Sequence, residues 1–334
     1  MKENTTEKYQ YMVAAICATF NQSSKIKNTL NGFCIQETDF PVLSMVIDDA
    51  STDGEPEVIR SFLNENFRTP FKEEETEDYQ LICAYHKTNP NCFLEVVFLK
   101  YNHYNIKKSK VPYWSRLANA KYVAFCEGDD YWTDPHKLQK QTDYMEKNPD
   151  CVVCSTGYEV HDLSNSTVED KTIKNDNGVI RFSIADWAKW PNMKTLTVMT
   201  KKSAYMNYFA EIGKYKNPKD IYFQYHILMQ GNGIYICENM GVYNLNEGGV
   251  WSGLTDEEKL LWDYNSYKEL YYKNDRDENV RRRYISYIGA IISRPQCEVN
   301  RGEMLVEFIK VIRRGEDILR LVRDISCFLL RKLF

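Results

Sequence analysis

The chain has 334 residues, of which 43% are hydrophobic, and its formal net charge is -4. This length and composition predict a substantial core in one large domain with an appendage. The slight acidity gives no indication of a nucleic-acid surface, residues 1–8 contain no secretory h-region, and no apolar run has the length of a membrane span. We therefore expect a cytoplasmic protein whose ten cysteines are reduced.

Two predicted strands near the start of the chain end in polar residues. The first covers residues 11–18 and lies just ahead of a helix at about residues 25–35. The second covers residues 43–47 and ends in Asp48 and Asp49, before a Ser-Thr-Asp-Gly turn and a helix with Pro56 in its first turn. This alternation of strand and helix predicts a parallel sheet with right-handed crossovers.

A third apolar strand, residues 122–126, runs directly into three carboxylates: Glu127, Asp129 and Asp130. The ends of such strands open onto the crevice where ligands bind, and closely spaced carboxylates suit Mg²⁺ or Mn²⁺ shared with substrate phosphates. Alone, the pattern fits an acidic turn before the helix near Pro135 equally well. The second acidic turn, at Asp48 and Asp49, favours the metal site because both turns are expected at one sheet edge.

Together these blocks resemble family 2 glycosyltransferases with the GT-A fold, in motif order from about Met12 to Ser252. The resemblance implies an α/β, Rossmann-like, mostly parallel sheet flanked by helices in a catalytic domain of residues 1–253, with a helical region at residues 254–334. It also implies a metal-dependent, inverting enzyme of surface polysaccharide biosynthesis. Such an enzyme moves one sugar, a hexose or N-acetylhexosamine, from a nucleotide-diphosphate donor to a glycan or lipid-linked acceptor hydroxyl, at the inner face of the membrane or free in the cytoplasm.

The resemblance assigns roles to individual residues. Asp130 is implied as the direct ligand of Mn²⁺ or Mg²⁺, with Asp129 toward the ribose or sugar of the donor. Glu127 stands where the family's D-x-D pattern has its first aspartate, and supports the loop or adds a metal ligand. The implied nucleotide contacts are Thr19, Phe20, Asn21 and Asp49. The Asp49 carboxylate would accept a hydrogen bond from the imide N–H of a uracil-type base, and this contact favours a UDP-sugar as the donor.

The segment that begins at Asn217 is similar to the acceptor-side motif of the family. Asp220 opens a predicted helix there and is the implied general base that takes the proton of the acceptor hydroxyl. The alternative is an ordinary helix N-cap, because Asp at that position accepts hydrogen bonds from free backbone N–H groups.

The last block, from Val242 to Ser252, departs from the family. Relatives often have Y-R-x-H, where this chain has Asn244 and Asn246. Asn246 can still offer a carbonyl oxygen to a metal, but it brings no charge. Trp251 is either a donor or acceptor contact or ordinary packing. These departures motivate a second hypothesis, a catalytically weak nucleotide-sugar or glycan-binding protein.

Two further segments leave their roles open. The loop 100–110, with Asn102, His103 and Lys107, is expected to be solvated rather than near a diphosphate. Three charged helices are predicted at residues 256–272, 278–292 and 304–333. The last is basic and amphipathic, so it suits an anionic bilayer surface, the catalytic domain or a second subunit in a homodimer.

Overall fold

The computed structural model describes residues 9–162, 164–187, 193–216, 219–245, 253–294, 297, 299–319, 322–323 and 326. Contacts divide the chain into two compact units. The first comprises Met1–Phe182, Asn192–Asn207 and Ile227–Leu245, and the second comprises Ser183–Pro191, Tyr208–His226 and Asn246–Phe334. The domain boundary at residue 253 stays a prediction.

The first unit is built on one large mixed sheet. Within the described residues its strands are β1 (Tyr11–Thr19), β2 (Val42–Asp48), β3 (Lys72–Glu75), β4 (Tyr79–Tyr85), β5 (Cys92–Leu99), β6 (Ala120–Phe125), β7 (Tyr131–Trp132), β8 (Cys151–Asp162), β9 (Thr167–Asp170), β10 (Val179–Phe182), β11 (Met199–Lys201) and β12 (Asn232–Leu245). Their spatial order is β10-β12-β8-β11-β6-β1-β2-β5-β4-β3, while β7 pairs with β12 and β9 with β8.

The strands that carry the predicted site are parallel. β1 lies between β6 and β2, with Val13 opposite both Tyr122 and Val42, and β2 is also parallel to β5. Towards one side β4 and β3 are antiparallel, and towards the other β11 runs antiparallel to β6 and β8. The α/β, Rossmann-like class is confirmed, with a parallel centre inside a mixed sheet.

The helices of the structure are α1 (Ile26–Cys34), α2 (Glu55–Asn66), α3 (Lys137–Lys147), α4 (Lys202–Ile212), α5 (Asp220–Leu228), α6 (Asp256–Lys273), α7 (Glu278–Ser293) and α8 (Arg301–Val311). Helix α1 buries Ile26, Leu30 and Phe33, and α2 buries Ile59 and Phe62, in the same core as the β1 and β2 side chains. Both helices therefore fix the loops that follow the carboxyl ends of β1 and β2.

The predicted continuous helix from Met304 to Leu333 is wrong in its described part. Helix α8 ends at Val311, and Ile312 has an extended ψ of 134°. The cause is Asp317, which accepts hydrogen bonds from the backbone N–H groups of Arg313 and Arg314, each at 3.0 Å, and starts a new turn. Arg281 donates to the Val311 carbonyl at 3.4 Å and so satisfies an oxygen at the end of α8.

The cysteines within the described ranges form no disulfide, and Cys151 and Cys154 are buried in β8. Over the same ranges, no helix combines the length and the apolar character needed to cross a bilayer.

Candidate functional site

The backbone of β1 brings the two acidic turns together. The Asp49 N–H donates to the Thr19 carbonyl at 3.0 Å, and on the opposite side the Gly128 N–H donates to the Ala18 carbonyl at 3.2 Å. The two turns therefore flank the carboxyl end of one strand, as the parallel strand order requires. The pKa of the Cys17 thiol on β1 reflects the nearby acids. Burial raises this pKa, and so do the negative charges of Glu55, Glu127, Asp129 and Asp130.

Gly128 allows the second acidic turn to lie against the first strand. A Cβ at this position would lie 2.0 Å from Thr19 Oγ1 and 2.4 Å from Thr19 Cβ, so no larger residue fits without displacement. On the other side of the turn, the Thr29 hydroxyl donates to the carbonyls of Gly128 at 3.1 Å and Asp130 at 2.6 Å. The turn that carries Asp129 and Asp130 is thus fastened to both β1 and α1.

Glu55 organises the polar residues that follow β1 and β2. It is fully buried, and its carboxylate accepts hydrogen bonds from the Thr19 hydroxyl, from the Gln22 N–H at 2.8 Å and from the Ser51 hydroxyl at 2.9 Å. The Thr19 proton is therefore directed to Glu55, and the Thr19 side chain ties two loops together. Sequence reasoning missed Glu55, since an acid in the first turn of a helix is also a common helix start.

Phe20 and Asn21 lie at the exposed rim of this network. Phe20 is 42% exposed, and its contact with a nucleotide stays a prediction. Asn21 has a positive φ of 54°, its N–H donates to the Ser51 hydroxyl at 2.9 Å, and its side-chain oxygen accepts from the Thr52 N–H at 2.8 Å. Asn21 therefore shapes the loop in this structure, and its contact with a nucleotide stays a prediction.

Asp49 is held by the loop after β5. Its carboxylate accepts from the backbone N–H of His103 at 2.7 Å and of Tyr104 at 3.2 Å, and pairs with Lys110 at 2.7 Å. Most of this loop is exposed as expected, Lys107 included, but His103 is fully buried and Asn102 donates to the Asp49 carbonyl at 3.0 Å. Three donors fill three of the roughly four acceptor positions of this carboxylate, and Asp49 is only 2% exposed, so its contact with a nucleotide base stays a prediction.

Asp130 is buried, with 2% of its surface exposed. Burial, together with the negative charges of Asp129 and Glu127, raises the pKa of its carboxyl to about 9, although the Asn244 N–H and Lys194 act to lower it. Neighbouring acids thus disfavour ionisation of Asp130, and a bound cation would reverse that balance.

Asn244 fastens the acidic turn to β12. Its N–H donates to Asp130 Oδ1 at 2.9 Å, and its side-chain amide donates to the Asp129 carbonyl at 2.5 Å. Positive charge near the turn comes from elsewhere in the chain: the Lys194 ammonium lies 3.5 Å from the ring centroid of Tyr243 and is near enough to lower the pKa of Asp130. Sequence reasoning missed Lys194, since no motif surrounds it.

The acidic turn offers few side chains that could bind a divalent metal. No group of three or more His, Cys, Asp or Glu side chains in the described ranges is arranged to hold an ion. Mg²⁺ and similar ions at nucleotide sites, however, need only one or two protein carboxylates, because phosphates and water complete the shell. Asp130 can supply one such carboxylate, with its Oδ1 held by the Asn244 N–H at 2.9 Å.

The remaining predicted residues lie elsewhere. Asp220 is the first residue of α5 and is exposed, in the second unit. Asn246 and Trp251 lie outside the described residues.

The large central sheet flanked by helices matches the GT-A-like fold of solved glycosyltransferases. Residues 1–349 of S. aureus TarS have this fold: the complex with UDP-GlcNAc matches with a TM-score of 0.54 and 14% identity, over 95% of this chain and 80% of that chain. The UDP complex of the same protein matches with a TM-score of 0.54 and 14% identity, over 95% and 89%.

Comparison of sequences finds relatives that are uncharacterised proteins. Uncharacterised proteins of Mycobacterium bovis (Mb1547) and Mycobacterium tuberculosis (Rv1520) are each 25% identical over 257 residues, which cover 75% of this chain. The match spans only 64% of the length of these relatives. No model of a known protein family matches the chain.

Proposed function

We propose that this protein is a metal-dependent, inverting glycosyltransferase that moves one sugar from a nucleotide-diphosphate donor, preferably a UDP-sugar, to a glycan or lipid-linked acceptor. The observation that carries the proposal is the buried Asp130 carboxylate, which follows Glu127 and Asp129 at the carboxyl edge of a GT-A-like sheet. The similarity to TarS, which binds UDP-GlcNAc, supports a nucleotide-sugar donor.

The leaving group of such a reaction is a nucleoside diphosphate, on which negative charge accumulates. A divalent ion held by Asp130 supplies charge neutralisation when it is bound. Asn244 keeps Asp130 and Asp129 in a fixed orientation through two hydrogen bonds, so the site is preorganised. Lys194 adds a protein cation on the same side of the turn.

The first acidic turn is proposed to bind the base. The remaining acceptor position of Asp49 suits the imide N–H of uracil, and the exposed ring of Phe20 offers a stacking face. Uracil presents one such N–H between two carbonyls, and this small pattern matches a site with a single acceptor. The arrangement favours UDP over GDP.

Inversion requires a base on the acceptor side of the donor. Asp220 is the proposed base, because it is exposed and begins a helix, where a carboxylate is held in a defined position. An Asp220→Asn enzyme is expected to bind donor normally and to lose at least about a hundredfold in transfer rate, the usual size of a general-base contribution. Unchanged transfer would reduce Asp220 to a helix cap.

The direct test is calorimetric titration of UDP, with GDP as the comparison, in the presence and absence of Mn²⁺. Wild type should bind UDP tightly only with metal, and Asp130→Ala should lose that dependence. Asp143→Ala is the matched control, since Asp143 is an exposed acid on α3. Equal UDP binding by wild type and Asp130→Ala, with or without metal, would contradict the metal assignment.

The alternative function is a nucleotide-sugar or glycan-binding protein with little turnover. It is favoured by Glu127 and by Asn244, which is engaged in holding the acidic turn. Turnover separates the two functions: release of UDP from a UDP-sugar in the presence of acceptor supports the transferase, and tight UDP binding without any release supports the binding protein.

A further inference from the structure

Helix α8 carries apolar side chains on two of its faces. Met304, Phe308 and Val311 are buried in the second unit. A second set points outward, and Ile309 is 68% exposed. The helical turn that follows also has exposed apolar residues, with Leu319 at 71% exposed. The exposed apolar residues are Leu305, Val306, Ile309, Ile318, Leu319 and Val322. Together with the basic residues described in the next paragraph, they form what we call the C-terminal patch.

Basic side chains accompany these apolar residues. The side chains of Lys310 and Arg313 are 62% and 46% exposed. Arg314 and Arg323 line a cavity of about 620 Å³ that also includes Leu319. Five arginines and three acids line this cavity, a surplus of two positive charges. The patch is therefore apolar and cationic together.

The acids near the patch are already engaged in ion pairs within the fold. Arg281 contacts Glu278 at 2.6 Å and Asp317 at 2.6 Å, and Glu278 also pairs with Arg313 at 3.4 Å. Glu316 and Glu303 are also exposed, and Lys310 pairs with Glu307 at 3.9 Å. In sequence, residues 320–334 add three basic residues beyond Arg323 and one acid.

We propose that the C-terminal patch binds the surface of an anionic lipid bilayer. Charge decides between this occupant and a second copy of the chain: in a two-fold dimer the patch would face itself, and its cations would repel. An anionic bilayer offers lipid phosphates to the arginines and an acyl region to Ile309 and Leu319. The inference uses only residues of the second unit and does not depend on the proposed sugar transfer.

The test is sedimentation of the full chain with phosphatidylcholine vesicles, with and without phosphatidylglycerol, in the absence of nucleotide. We expect binding that requires phosphatidylglycerol and weakens with salt. Ile309→Glu should lower the partition coefficient at least about tenfold, and Arg314→Gln about fivefold, which is the effect of roughly one surface charge. Both side chains are exposed, so folding should be preserved, as circular dichroism can verify.

Lys147→Gln is the matched control, because Lys147 is an exposed lysine on α3 of the first unit. It should bind vesicles as the wild type does. Absence of binding to phosphatidylglycerol vesicles, or equal binding by all variants, overturns the proposal. It is also overturned if ultracentrifugation shows a wild-type dimer that Ile309→Glu converts to a monomer, since the occupant is then a second copy.

Discussion

Replacing Asp130 by Asn should stabilise the protein in the absence of metal, increasingly so as the pH rises. The folded carboxyl has a pKa of about 9, against an ordinary value of 3.8. Between these values the folded state holds a proton that the unfolded state has released, so the wild type loses stability as the pH increases. Asparagine does not titrate, yet its side-chain oxygen can still accept the hydrogen bond from the Asn244 N–H.

The slope of this effect follows from the linkage relation. One proton difference changes the free energy of unfolding by about 1.4 kcal/mol per pH unit. From about pH 5.5 to about pH 7.5 the stability advantage of Asp130→Asn should therefore grow by roughly 3 kcal/mol. This is an upper value, because relaxation around a buried charge reduces its penalty.

The measurement is urea denaturation followed by hydrogen exchange of β1 and β6 peptides, which reports on the first unit alone. Other titrating groups are common to both proteins and cancel in the difference. Saturating Mn²⁺ should reverse the order at the higher pH, because only the wild type offers a carboxylate. A stability difference that is constant with pH, or a metal-free wild type that is the more stable at about pH 7.5, would refute the argument.

Three further predictions concern neighbouring residues. Gly128→Ala should destabilise the first unit by about 1–3 kcal/mol in the same denaturation assay, because the added Cβ would contact Thr19, and an unchanged free energy of unfolding would contradict this reasoning. We expect the Lys194 charge to face the β-phosphate, so Lys194→Gln should weaken UDP binding about tenfold or more and leave UMP binding unchanged. Lys194→Arg should retain the affinity for UDP. An equal loss of affinity for both nucleotides in calorimetry would contradict this position of the charge. Glu55→Gln should lower both stability and nucleotide affinity, since a neutral amide cannot accept as strongly from Thr19 and Ser51; unchanged UDP affinity would show that the network is not needed for the site.

The parts of the fold that sequence predicted best are the ones in which pattern and topology agree. An apolar strand followed by acids occurs twice, and parallel pairing with β1 brings the two ends together whatever the details of the loops. Helix α2 has Pro56 in its first turn as predicted, and Gly54, with a φ of 90°, lies directly before its start. These signals are local, so one sequence is enough to interpret them.

The residues that sequence missed depend on contacts between distant segments. Glu55 acts through Thr19, 36 residues earlier in the chain. The end of α8 depends on Asp317 and on Arg281, and the latter lies 30 residues before the Val311 carbonyl that it contacts. Helical periodicity continues through this point in the sequence, so the pattern alone predicts one long helix. A buried ion pair changes the backbone path without leaving a periodic signal.

The departures at positions 244 and 246 illustrate why a motif is an incomplete description of a site. The sequence there lacks the arginine and histidine of relatives, which suggests a weakened centre. In the structure Asn244 instead makes two hydrogen bonds that hold the acidic turn, and the ammonium of Lys194, from a different segment, lies over the adjacent Tyr243 ring. A positive charge is therefore present beside Asp130 although the motif provides none. The Lys194→Gln comparison of UDP with UMP decides whether that charge serves the leaving group.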